Sequence, residues 1–237
     1  MRGFYFREAT DRLVQSFLPP YFLVPAVIAV AIYLVHPLET TIATGMSSIQ
    51  VAFASATFAV CLVSAASGAR FFSKFWGESW FGSSLMAPVS RIAGFWQVVL
   101  AQMLFSSVIL VLSWGAVAAA MPAGFGPHLV PVACAGIALA AWTAAVSAMA
   151  GLLTTPAPAS VLAGAFTLYS LAPLVDPLDS LFSPAFRMTG AAMPSALAGH
   201  WPTSGAILII LGQAAGFAAA AFCLYFLAMH RGVDTHR

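Results

Sequence analysis

The sequence predicts an all-α integral membrane protein with six transmembrane helices, and two observations carry that prediction. The first is composition: of 237 residues, 61% are hydrophobic and 7% charged, with net charge +2, and the mean hydropathy is +0.95. A soluble domain carries roughly a quarter charged residues. The second is the spacing of those charges. A hydrocarbon core about 30 Å thick needs roughly 20 apolar residues at 1.5 Å per residue, and six runs of about that length contain no Asp, Glu, Lys or Arg: 17–36, 45–68, 92–121, 129–153, 158–175 and 204–229. Their apolar character is continuous, which excludes barrel strands, where polar and apolar residues alternate.

The nine basic residues set the orientation, because Lys and Arg near span ends are retained in the cytoplasm. Arg2, Arg7 and Arg12 precede the first span, Arg70, Lys74 and Arg91 separate the second from the third, and Arg231 and Arg237 follow the sixth, leaving only Arg187 on the opposite face. Both termini are therefore expected inside, in a single domain spanning 1–237. The charge serves topology. No basic, aromatic-interleaved patch of a size to bind nucleic acid is present.

Before the first span, Phe6, Ala9, Leu13 and Phe17 recur at helical spacing with Arg7, Asp11 and Arg12 elsewhere on the wheel. That pattern fits an interfacial helix over 1–16, or an ordinary juxtamembrane turn whose arginines act only in topology. The run that follows is long and begins with Pro19, Pro20 and Pro25, without an A-x-A-like site, so it reads as a retained span and not a cleaved signal. The 37–44 and 122–127 loops are short and external, and 154–160 (TTPAPAS) is expected to form a tight internal turn. The external segment 176–203 carries Asp176, Asp179, Arg187 and four prolines yet stays half apolar. It is expected to re-enter the outer membrane face as short broken helices.

Within the spans, Gly136, Ala140, Ala144 and Ala148 repeat every four positions, and Gly212 and Gly216 form a GxxxG pair. Small residues allow close backbone approach, either inside one bundle or between two copies. Gln50, Gln97, Gln102 and Gln213 are the long polar side chains of the spans, candidates for helix packing or for a pathway. No ionisable Asp, Glu, Lys or Arg accompanies them, which argues against an ion-coupled carrier. Cys61, Cys134 and Cys223 fall one each in three spans, without ligand spacing, and read as small packing residues.

A nucleotide-binding loop needs Gly-Lys-Ser or Gly-Lys-Thr, whereas the only lysine, Lys74, follows Ser73. No ATP is expected on this chain. An intramembrane metal site could in principle draw on His36, His128, His200, Asp176 and Asp179, but they are scattered over separate loops and Pro177 splits the aspartates, so no metal ligands are assigned. No G-x-S-x-G elbow is present, and no catalytic residue is assigned.

The cytoplasmic stretch 69–91 carries Arg70, Lys74, Glu78 and Arg91 between two apolar runs, and from Lys74 it reads KFWGESWFGSSLMAPVSR. Helical phasing puts Trp76, Trp80 and Ser84 on one face, with Phe81 and Leu85 on a neighbouring one. Aromatics at the membrane boundary are commonly anchors. Gly77 and Gly82 cost near 1 kcal/mol each in a helix and allow a broken, close-packed element, which Pro88 ends; Ser90 stands as an N-cap for the third span.

In this stretch the chain resembles the permease subunits of type-2 ATP-binding-cassette exporters. Their coupling element between spans two and three runs Arg-Glu-x-Glu-x-Gly-Thr-Leu-Glu-x-Leu-Leu and then, after a short step, Pro-Val-Ser-Arg. Pro88, Val89, Ser90 and Arg91 match the closing motif, and Leu85 with Met86 the apolar pair; Gly82 stands where the family has its acid, and Glu78 is the sole carboxylate. LFSPAFRM, 181–188, is similar to the family's Asn-Pro-x-x-x-Phe-Arg stretch, with Ser183 in place of Asn and one residue fewer.

The resemblance implies an interfacial N-terminal helix, a cytoplasmic coupling helix and an external gate at Asp176, Asp179, Pro184 and Arg187. It implies ATPase contacts at Trp76, Glu78, Trp80, Phe81, Ser84, Leu85, Pro88 and Arg91. The partners implied are separate ATPase subunits carrying ATP and Mg, a second permease copy or paralogue, and the bacterial inner membrane. Two other readings stand beside it: a non-transporting membrane scaffold, and an intramembrane metalloenzyme.

Overall fold

The computed structural model describes residues 7, 9–11, 48–77, 91–120, 129–171 and 204–234, and among them every secondary-structure element is helical. Five helices are fully delimited: α1 Ser48–Gly77, α2 Arg91–Ala120, α3 Leu129–Leu153, α4 Pro156–Leu171 and α5 Ser204–Asp234. Residues 7 and 9–11 are also helical, with Ala9 buried and Arg7 and Asp11 exposed. The expected first span, the loops 37–44 and 122–127, and the segment 176–203 lie outside the described residues.

Four of these helices, α1, α2, α3 and α5, are long and apolar enough to cross a membrane. In lipid every backbone N–H and C=O must be satisfied within the chain, and a continuous helix does so segment by segment. The expected boundaries 92–121 and 129–153 agree with α2 and α3 to within a residue.

Two other boundaries differ. The second span was expected to end at Gly68, but α1 continues to Gly77. Arg70 and Lys74 are one turn apart on the exposed side, while Phe71, Phe72 and Phe75 on the other side are buried. A charge confined to one face does not end a helix. Likewise α5 continues past Met229 to Asp234.

The expected turn over 154–160 is shorter than read: only Thr154 and Thr155 separate α3 from α4. Pro156 and Pro158 are helical, in the first turn of α4, where a missing N–H leaves no bond unmade. The ladder starts beside them, with Ala159 N–H donating to the Thr155 carbonyl at 2.9 Å.

The apolar helix α3 is the hub. It packs against α1, α2, α4 and α5, and α1 packs in turn against α2 and α4. A helix that is apolar all round belongs in the interior, and the stripe Gly136, Ala140, Ala144, Ala148 is buried throughout. Gly151 lets α3 pass close to α1: a Cβ there would lie 2.5 Å from Phe72 Cβ and 2.8 Å from the Ala69 carbonyl oxygen. α5 is the peripheral member and mostly exposed. Its Gly212 and Gly216 have open space where a Cβ would be, so the GxxxG pair does not serve packing among the described helices. Cys61 is buried as a small packing residue, while Cys134 and Cys223 lie exposed; all three are free thiols.

Candidate functional site

The ends of α1, α2 and α5 that carry Lys74, Arg91 and Arg231 are joined by aromatic rings. From α1, Phe71, Phe72, Phe75 and Trp76 follow one another at ring separations of 5.1–5.8 Å. Trp76 lies over Phe95 of α2, centroids 6.3 Å apart and planes at 27°, and against Tyr225 of α5 at 4.9 Å. Phe95 and Tyr225 stack at 5.0 Å, and Phe222 packs on both Phe95 and Trp96. Phe95 and Tyr225 are buried, Trp76 half-buried. Pairs at 4.5–7 Å in tilted or offset geometry contribute beyond their buried area.

This arrangement relocates Trp76. Sequence phasing put it with Trp80 and Ser84 on a helix presented to the cytoplasm, but it belongs to the last turn of α1 and turns inward onto α2 and α5. Arg91 opens α2. Glu78, Trp80, Phe81, Ser84, Leu85 and Pro88 lie outside the described residues, as do the gate candidates Asp176, Asp179, Pro184 and Arg187. The stretch 78–90 is thus bracketed by Trp76 on one side and Phe95 on the other, two rings in contact with each other.

A second set of contacts is polar and ties α1 to its neighbours along its length. Near one end the Trp114 indole donates to Thr57 Oγ1 at 2.9 Å. Deeper in, Ser147 Oγ lies 3.1 Å from the Ala65 carbonyl and 2.6 Å from that of Thr143, while Gln102 Nε2 donates to the Ser64 carbonyl at 3.3 Å. At the far end Ser73 Oγ donates to the Thr154 carbonyl at 2.7 Å, fastening α1 to the α3–α4 turn.

Of the four candidate glutamines of the spans, Gln102 is fully buried, Gln97 and Gln213 are half-buried, and Gln50 is on α1. Gly68 makes room for Gln102: a Cβ there would meet Gln102 Nε2 at 2.6 Å and Ser147 Oγ at 2.7 Å. Its amide is held by a second, weak contact to Ser106 Oγ at 3.5 Å, and its Oε1 is buried without a partner. Deleting an unsatisfied buried group together with long bonds is close to neutral. Gln102→Leu is therefore expected to change stability by less than about 0.5 kcal/mol in SDS-titrated unfolding in mixed micelles. A loss above about 1.5 kcal/mol would show instead that Gln102 is a strong tether.

The aromatic platform escaped the sequence reading because Trp76, Phe95 and Tyr225 are far apart in the chain, on helices without a marked polar face. The glycines were the available signal: Gly68 and Gly151 mark places where a neighbouring helix comes close against α1 or its partner side chains.

Among the described residues no group of three or more His, Cys, Asp or Glu is placed to hold a metal ion. Compared with known proteins, the chain gives no significant match to any family model, curated protein or solved structure.

Proposed function

We propose that the chain is the membrane-spanning permease subunit of an ATP-driven exporter of the type-2 ATP-binding-cassette class, acting in a bacterial inner membrane. In this reading it works with separate ATPase subunits, which hold ATP and Mg, and with a second permease copy or paralogue. The closing Pro88-Val89-Ser90-Arg91 motif supports the family, and the exposed Gly212–Gly216 side of α5 offers a face that tolerates close approach of a second copy.

The observation that carries the reading furthest is the aromatic contact bracketing 78–90. Trp76 and Phe95, one just before and one just after that stretch, rest on each other and on Tyr225. A displacement delivered to the intervening chain by a closing ATPase pair is received by α1, α2 and α5 together, because their ends are packed as one unit. Packed interfaces shift between discrete arrangements rather than deform continuously, which is what converts such a push into a change of access. The segment 176–203 then serves as the exit gate.

Purification of the tagged chain from its native membranes tests this. A P-loop ATPase and ATP hydrolysis are expected in the complex, and the double variant Trp80→Ala/Leu85→Ala is expected to lose the ATPase while remaining folded. A double variant that keeps its ATPase and full ATP-driven transport sinks the coupling role. A native complex without nucleotide hydrolysis favours the scaffold instead.

A further inference from the structure

Arg70 and Lys74 stand one turn apart on the exposed side of α1, opposite the buried Phe71, Phe72 and Phe75. Both fall inside the apolar run Ala56–Trp76, the part of α1 able to cross a membrane. At 1.5 Å per residue, Lys74 is about 3 Å and Arg70 about 9 Å short of its end at Trp76. Both side chains therefore start at the edge of the hydrocarbon, where a cation needs water or a counter-ion.

The bundle supplies no counter-ion at this level. Neither α1 nor the three helices packed against it, α2, α3 and α4, contains an Asp or Glu. The one acid of α5 is Asp234, nine residues and about 14 Å beyond the Tyr225 that meets Trp76. A charge within a span ordinarily pairs inside the bundle or faces a cavity. These two face outward from its surface.

Their surroundings are set by contacts on either side. Between them in sequence, Ser73 donates to the Thr154 carbonyl at 2.7 Å and holds the α3–α4 turn beside α1. At about 100° per residue, Arg70 and Lys74 lie about 60° and 100° round the helix from Ser73, in the same sense. One turn before Arg70, Ala66 Cβ lies 3.7 Å from where a Gly164 Cβ would be on α4. The turn residues Thr154 and Thr155 are exposed, and neither they nor the first turn of α4 brings an acid. Long basic side chains lay their apolar stems along the protein and lift their charged heads to the interface. The anions at that level are lipid phosphates, and two cations one helical turn apart are spaced to share one headgroup.

We propose that Arg70 and Lys74, beside the α3–α4 turn, form a binding surface for the headgroup of an anionic phospholipid. Topology accounts for basic residues gathering at this end of the span, but not for both occupying one outward face inside it. Nothing in this depends on the export reading.

In the test, the full chain is carried in nanodiscs of equal phosphatidylcholine and phosphatidylglycerol and released intact into a mass spectrometer, where the lipids that stay bound are identified. Phosphatidylglycerol is expected to be retained over phosphatidylcholine about 25-fold, with about fivefold from each cation. Arg70→Gln and Lys74→Gln are each expected to lose that share, and the double variant to retain both lipids alike. The charge-preserving Arg70→Lys/Lys74→Arg variant is expected to keep the preference, and added inorganic phosphate to leave the lipid in place. Equal retention of the two lipids by the native chain overturns the surface, as does an Arg70→Gln/Lys74→Gln variant that keeps the preference. Displacement by inorganic phosphate overturns it in favour of a free anion. A preference that emerges only in Glu78→Gln assigns the cations to that carboxylate instead. A double Gln variant that keeps its lipid but loses a bound ATPase assigns them to protein docking.

Discussion

Phe95→Ala is expected to destabilise the bundle by about 3–5 kcal/mol, the usual cost of removing a buried aromatic ring. Phe95 is fully buried and touches Trp76, Trp96, Phe222 and Tyr225, so its loss leaves a cavity bordered by rings from three helices. These rings hold each other and cannot all relax into the space. The measurement is SDS-titrated unfolding in mixed micelles, with Ile92→Ala on the same helix as control. Ile92 is 46% exposed, and its truncation is expected to cost less than about 0.5 kcal/mol. Equal losses for the two variants would contradict the platform. On the export reading, Phe95→Leu, which keeps most of the volume but not the stacking, is expected to leave the ATPase bound while slowing ATP-driven transport. Equal transport by Phe95→Leu and the native chain would remove the platform from the coupling route.

Gly151→Val is expected to cost about 3 kcal/mol, at the upper end of overpacking effects. What blocks the new side chain is partly backbone: the Ala69 carbonyl oxygen at 2.8 Å and the Ser73 nitrogen at 3.0 Å from the Cβ position. A flexible side chain could swing aside, but here α1 as a whole must move away from α3. That movement also strains the 2.7 Å bond from Ser73 to Thr154. Gly216→Val on α5 is the matched control, since no atom lies within 4 Å of its Cβ position. In the same unfolding assay the first variant should be strongly destabilised and the second hardly at all. A destabilised Gly216→Val monomer would show that this face of α5 is covered.

The membrane class and the extents of α2 and α3 were legible because lipid imposes one simple rule, an uninterrupted apolar helix of sufficient length. The inner stripe of α3 was legible for a related reason, since glycine and alanine every fourth residue present one narrow face. The end of α1 was not. Counting charges treats Arg70 as a boundary, whereas the helix places Arg70 and Lys74 on one side and buries Phe71, Phe72 and Phe75 on the other.

Among the candidate site residues, Trp76 is expected on the coupling helix, whereas it stands in the last turn of α1 against Phe95 and Tyr225. Its neighbours Phe95 and Tyr225 are distant in sequence, and helices that are apolar on every side do not reveal which face meets which partner. The short connection between α3 and α4 was hidden for another reason: Pro156 and Pro158 suggest a turn in TTPAPAS, whereas both stand in the first turn of α4, which leaves only Thr154 and Thr155 between the helices.

That two-residue connection also bears on how the bundle assembles. Bringing two helices together costs chain entropy that grows with the length of the link between them, and here the link is nearly as short as it can be. Pro156 further narrows the conformations open to the chain at the start of α4 before any partner is met. α3 and α4 therefore form a helical hairpin joined by a minimal turn. Because α3 is also the helix on which α1, α2 and α5 all pack, this hairpin supplies the surface on which the others are sorted, and an insertion that lengthened the turn would slow assembly more than it weakened the finished structure.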